Sequence, residues 1–164
     1  MIGKLARLFK RAEPAILDAK PGDASALAAL HRTSFRHGWS ETEFERLLAD
    51  RGAIAHVARA SGGRGPVLGF VLSHRVDFEA EILLVALAPS ERGHGTATKL
   101  LAKHLARLAA GGVRRVFLEV DEGNRAARKL YARAGFEEVG RRAGYYRKTE
   151  GNAAALVLGR DLSA

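Results

Sequence analysis

The chain has no cysteine, a single tryptophan, a single methionine and four prolines. Without a thiol there is no disulfide, no zinc–thiolate centre and no acyl-enzyme thioester, and the composition fits a reducing compartment such as the cytoplasm. No apolar run approaches the ~20 residues that span a bilayer, so no membrane span is expected. Lys4, Arg7 and Lys10 interrupt the apolar positions of the first ten residues, and a secretory signal needs ~7 to 15 uninterrupted ones. The six histidines are scattered without H-E-x-x-H or comparable spacing, and no metal is expected. Aromatic residues make up only 7% and are not interleaved with the basic residues. A base-stacking surface requires that interleaving, so a module that binds nucleic acid or ribosome without catalysis has only charge to support it.

What is present suits one soluble globular domain: 164 residues, 47% hydrophobic and 27% charged. The formal charge of +9 is concentrated. Between Arg92 and Lys148 there are fourteen Lys or Arg against five Asp or Glu, and the remainder carries thirteen of each sign. A bound polyanionic cofactor, a nucleic-acid or ribosomal surface, or ordinary solvated helix faces would each produce that asymmetry.

Residues 1–13 read as a basic extension and 14–164 as a single domain. Ile2, Leu5, Leu8 and Phe9 fall near one helical face, so the extension is either a short amphipathic helix or a docked or disordered tail. Periodicity then predicts a strand over 16–18 and a helix over 23–35 with Asp23 as its cap. A second helix starts at Ser40, where Ser40 and Glu43 form a capping box. Trp39, in the loop between them, either walls a groove or anchors that second helix. Strands follow over 54–59, 67–74 and 80–87, the first two joined as a hairpin by the glycine-rich stretch 61–66. A helix over 96–109 turns Ala97, Leu101, Leu105 and Leu108 to a sheet. In a strand over 113–121, Val116, Leu118 and Val120 share one side, Phe117 and Glu119 the other. A helix over 124–134, with Ala127, Leu130, Tyr131 and Ala134 inward, and strands over 136–139 and 153–161 complete the chain. The predicted order is β-α-α-β-β-β-α-β-α-β-β, an α/β (α+β) mixed, mostly antiparallel sheet with helices on both faces.

Residues 83–101 run from an apolar strand through Pro89 and a two-glycine turn into an amphipathic helix. Unpaired N–H groups and the macrodipole make such a helix start a phosphate holder, and glycine lets the backbone approach the oxygens. Arg92 and Lys99 add positive charge. There is no G-x-x-x-x-G-K-[ST], and Thr98 stands where a dinucleotide fingerprint needs its third glycine. An ordinary glycine turn before a core helix remains the alternative. Arg92 to Ala97, R-x-x-G-x-A, resembles the acyl-CoA pyrophosphate loop of the GNAT superfamily of N-acetyltransferases.

Residues 118–136 match L-E-V-x-x-x-N-x-x-A-x-x-L-Y-x-x-x-G-F and resemble the RimI-like branch, bacterial enzymes that acetylate protein N-terminal amines, notably on a ribosomal protein. The resemblance covers about 14–162 and departs from the pattern at Gly123, where a serine is usual. It implies the GNAT fold and acetyl-CoA as co-substrate. It also implies backbone contacts to the pantetheine arm from Val85, Ala86 and Leu87, and a diphosphate cradle from Arg92, Gly93, His94, Gly95, Thr96, Ala97 and Thr98. Asn124 would bond the pantetheine, Glu119 would act as general base and Tyr131 as general acid. The acceptor it implies is a protein N-terminal α-amine; a small-molecule amine or a lysine stays open.

Read by themselves, these residues carry alternatives. A carboxylate in an apolar strand is costly unless paired, so Glu119 is either a base or the partner of an arginine such as Arg114. Tyr131 is either a proton donor or a core residue. Glu81 is the rival base, since Glu79 and Glu81 share strand parity with Val85 and the histone-acetyltransferase branch carries its glutamate there. His94 reads as a loop residue, and Tyr145 and Tyr146 as packing or substrate wall.

Overall fold

A computed structural model describes residues 11–147 and 152–163, with the backbone alone at 143–147 and 152–153. The helix considered for 1–10 lies outside the described residues, as do the side chains of Tyr145 and Tyr146. In chain order the elements are β1 (Ala15–Asp18), α1 (Ala24–Ser34), α2 (Glu41–Ala49), β2 (Ala53–Arg59), β3 (Val67–Val76), β4 (Glu79–Leu87), α3 (Thr96–Ala110), β5 (Arg115–Asp121), α4 (Arg125–Arg133), β6 (Glu137–Arg147) and β7 (Asn152–Asp161). The observed order is the predicted one. The seven strands form one sheet, β1-β2-β3-β4-β5-β7-β6. Among the described residues only β4–β5 is parallel, and α3 is the crossover that a parallel pair requires.

Local chemistry explains most of the boundaries. Ser40 Oγ accepts from Glu43 N at 3.2 Å while Glu43 Oε2 accepts from Ser40 N at 2.6 Å, so the capping box forms and α2 begins there. The start of α1 differs from expectation. Asp23 is helical in a 3-10 turn, Pro21–Asp23, that feeds straight into α1. Its carboxylate turns back to Lys20 N at 2.7 Å and pairs with Arg59, so it caps nothing in α1.

Two apolar layers sandwich the sheet. Under α3 and α4 lie Ala58, Val71, Ala80, Ile82, Val116, Leu118 and Leu156; under α1 and α2 lie Val57, Phe70, Leu72 and Leu84, with Phe44 edge-on to Phe70 at 5.7 Å. The buried stripe of α3 is Thr96, Leu100, Leu101, His104, Leu105 and Leu108. It is rotated from the predicted one, and Ala97 is only partly covered.

The sheet is irregular in the middle of β4. Leu72 pairs with Leu84 but Ser73 pairs with Ile82, so Leu83 is an extra residue, a β-bulge. The bulge reverses the alternation. Ala80, Ile82 and Val85 pack on the α3–α4 side, and Leu84 and Ala86 on the α1–α2 side. Glu79 and Glu81 therefore face away from Val85, contrary to the expected shared parity.

Candidate active site

The bulge coincides with a parting of strands. The parallel register runs from Glu79 opposite Arg115 to Ile82 opposite Leu118 and stops. Beyond it, β3 holds β4 as far as Leu87 and β7 holds β5 as far as Asp121. Val85, Ala86 and Leu87 thus form one wall of a cleft whose other wall begins at Glu119. Backbone polar groups along a strand edge need partners, and an extended, amide-bearing arm can supply them.

At the mouth of the cleft the chain turns through Pro89–Glu91 into the glycine loop. Gly93 and Gly95 both have φ +78°, which an L side chain rarely adopts. A Cβ at either would meet nothing within 4 Å, so the space beside both glycines is open. Among the described residues no group accepts from the N–H groups of residues 93–98. These donors, at the positive end of the α3 dipole, suit a diphosphate. Arg92, His94 and Thr98 are exposed around them, and Ala97 is partly so. Thr96 turns its hydroxyl inward, donating to Glu91 Oε1 at 2.9 Å. Lys99 departs from expectation: its Nζ lies 2.6 Å from Glu13 Oε1.

Glu119 lies just past the last β4–β5 pair. Its side chain is 25% exposed and 3.2 Å from Arg142 Nη2 on β6. Arg142, not Arg114, is the partner; the Arg114 guanidinium sits 4.6 Å from the centre of the Phe78 ring. The cost of a carboxylate in an apolar strand is met by partial exposure and this cation. Glu81 is exposed, beside Phe117 in the paired stretch.

Tyr131 sits on the opposite side of β5, in the layer with Leu118 and Val120 and edge-on to Phe136 at 5.8 Å. Burial pushes its phenol up to about 12. Asn124 is exposed and caps α4, its Oδ1 accepting from Ala127 N at 3.1 Å. Trp39 is the anchor of the two readings. Its backbone N–H donates to His31 Nδ1 at 2.9 Å, and its ring packs on His31 and Phe44 at 5.5 and 5.7 Å.

A polar chain, missed in the sequence and buried except at its Asp18 end, underlies the bulge. Asp18 Oδ1 is 3.2 Å from His56 Nε2, His56 Nδ1 is 2.7 Å from His104 Nδ1, and His104 Nε2 is 2.6 Å from Ser73 Oγ. Desolvation, and secondarily His56, pushes His104 down to about 3; desolvation lowers His56 as well. The signal available was the place of His104 on the inner stripe of α3, between Leu101 and Leu108.

Known proteins resemble this chain in sequence and in fold. The acetyltransferase (GNAT) family matches residues 24–136. N-alpha-acetyltransferase RimI of Mycobacterium tuberculosis is 35% identical over 127 residues, 75% of this chain and 75% of that protein. A ribosomal protein bS18-alanine N-acetyltransferase of Haemophilus influenzae is 39% identical over 92 residues, 56% of this chain. The chain spans 62% of that enzyme's length, less than two thirds. The crystal structure of the ribosomal-protein-S18-alanine N-acetyltransferase from Escherichia coli superposes with a TM-score of 0.82 at 25% identity, covering 92% of this chain and 94% of the other. With the parted strands, the open glycine loop and a match over more than half its length, the chain belongs to the acetyltransferase (GNAT) family.

Proposed function

We propose that this chain transfers the acetyl group of acetyl-CoA directly to an amine, and that the amine is a protein N-terminal α-amine, as on a ribosomal protein in the cytoplasm. The observation that carries the reading is the placement of Glu119 and Tyr131 on opposite faces of β5, at the point where β4 departs. An amine entering from the α1–α2 side meets a carboxylate, and a thiolate leaving on the α3–α4 side meets a phenol.

In this reading Glu119 takes a proton from the ammonium group, directly or through water. The amine nitrogen then bonds to the thioester carbon, the carbon–sulfur bond breaks, Tyr131 passes its proton to the coenzyme A thiolate, and the second proton that the nitrogen sheds to become an amide leaves through water, which restores the phenol. Val85, Ala86 and Leu87 hold the pantetheine arm by their backbone, Asn124 donates to it from its amide, and residues 92–98 hold the diphosphate. No covalent enzyme intermediate is needed. An α-amine of pKa ~8 costs about 1.4 kcal/mol to deprotonate at pH 7, a lysine of pKa ~10.4 about 4.6 kcal/mol. A half-screened carboxylate suits the lighter task. We assign this chemistry to residues 14–164.

A peptide library presented with acetyl-CoA and read by mass spectrometry tests the proposal. Acetylation confined to peptide N-termini is expected. Acetylation of lysine side chains or small amines alone would move the acceptor, and absence of acetyl-CoA-dependent thermal stabilisation would remove the enzyme reading altogether.

A further inference from the structure

Glu91 has no solvent exposure, yet it lies at the foot of an anion cradle. Its carboxylate accepts from Thr96 Oγ1 at 2.9 Å and pairs with Arg11. The first contact ties together the two ends of the loop 92–95. The second comes from outside the stretch that carries the family match. A second strut runs beside it, Glu13 to Lys99 at 2.6 Å, and a cavity of about 180 Å³ between the segment and the loop is lined by Arg11, Pro14, Ile16, Glu91, His94 and Lys99.

A buried carboxylate is tolerated when a cation and hydrogen bonds compensate it, and becomes strongly unfavourable when the cation is removed. Without Arg11, Glu91 has two ways to relax. It can take up a proton, or it can swing into solvent, releasing Thr96 and bringing a negative charge towards the N–H groups of residues 93–98. The second outcome opens the staple across the loop and opposes a bound diphosphate.

We infer that Arg11 is a positioning residue for the cofactor loop: through the buried Glu91 it fixes the loop for diphosphate, so residues 11–13 belong to the cofactor site. The inference rests on the proposed acetyl-CoA function. Arg11 touches no reacting atom and acts only through Glu91, so its effect must vanish when the Glu91 charge vanishes.

Calorimetric titration of acetyl-CoA into the full chain tests this as a double-mutant cycle. Arg11→Met keeps the side-chain stem and removes the charge, and is expected to weaken acetyl-CoA binding about tenfold or more without changing the acceptor KM. In the Glu91→Gln background the same substitution is expected to change affinity by less than about twofold, because a neutral amide needs no cation. Should Arg11→Met alone fail to fold, the comparison between Glu91→Gln and the double variant still decides. A double variant that binds about tenfold more weakly than Glu91→Gln overturns the coupling. Wild-type affinity in a folded Arg11→Met protein overturns the positioning role while leaving the acetyl-CoA reading intact. If the wild-type protein itself does not bind acetyl-CoA, both fall, and that result is distinct from either of the others.

Discussion

Up to Leu118, β4 and β5 are locked together; beyond it they part, and the two stretches differ in almost every physical respect. In the closed stretch Ala80, Ile82, Val116 and Leu118 are buried, the backbone is paired and a histidine chain seals the layer beneath. In the open stretch the facing strand edges have no partner among the described residues, a half-buried glutamate meets an arginine, and the loop beyond presents N–H groups that are unbonded among those residues. The closed stretch has little left to gain from a ligand, whereas the open one regains hydrogen bonds when something enters. Glu81 and Glu119 lie on the same face, one in each stretch, so they test the contrast most directly. Glu119→Gln is expected to lower kcat/KM by ~10²-fold or more with acetyl-CoA affinity retained, because shape survives and basicity does not. Stability should change by less than about 1 kcal/mol, since the lost partner, Arg142, is itself half exposed. Glu81→Gln should do much less, and steady-state kinetics giving the reverse order would transfer the base to the closed stretch.

Tyr131 is the next largest expectation. Its hydroxyl makes no hydrogen bond among the described residues, so Tyr131→Phe removes no folded-state partner and should shift stability by no more than about 1.5 kcal/mol. A phenol pushed up to about 12 stays protonated at neutral pH and can serve as a donor. Loss of ~10²-fold in kcat is expected, partly restored with an acyl donor whose thiol is more acidic. A folded variant with wild-type kcat would leave Tyr131 as core and water as the proton source.

The closed stretch predicts a pH effect on stability rather than on chemistry. His104 is held at about 3 against 6.5 when solvated, by burial first and by His56 second. A base with a depressed folded pKa is neutral in the fold and takes up a proton in the unfolded chain as pH drops below ~6.5, so its stabilisation is complete above that value and is lost towards pH 3. Between pH 7 and pH 5 His104 alone accounts for about 2 kcal/mol. Urea unfolding at the two pH values should show a loss of that size, and His104→Gln should reduce it. Equal stability at both values in the wild type would mean that the buried chain already accommodates a proton.

Much of the molecule was legible in the sequence, and the exceptions have physical causes. Element order, the capping box at Ser40 and Glu43, the glycine loop and the two sides of β5 follow from spacing, which local sterics and periodicity control. The bulge at Leu83 did not, because Ile82 to Leu87 is continuously apolar and offers no alternation to break. That single residue moved Glu81 away from the face of Val85. The partner of Glu119 escapes local pattern for another reason: Arg114 is near in sequence, whereas Arg142 arrives through β7 and β6. Asp23, Lys99 and Glu91 are likewise taken by partners distant in the chain: Arg59, Glu13 and Arg11. Charge pairing across a fold leaves no trace in local pattern.

Asn124 gives the smallest expected effect and separates two duties at the open end of β5. Its Oδ1 is already engaged, accepting from Ala127 N at 3.1 Å as the cap of α4. Only its amide N–H groups remain for a pantetheine carbonyl. Asn124→Ala removes both functions and should cost about 1 kcal/mol of stability as a lost cap. Asn124→Ser restores a neutral capping oxygen but is too short, and wrongly equipped, to replace the amide donor. Its stability should therefore stay within about 0.5 kcal/mol of wild type while acetyl-CoA affinity falls roughly three- to tenfold, the worth of one hydrogen bond. Thermal melts and calorimetry on the two variants read the duties apart. If Asn124→Ser binds acetyl-CoA like the wild type, Asn124 is a helix cap alone, and the open end of β5 holds its guest through the loop and β4.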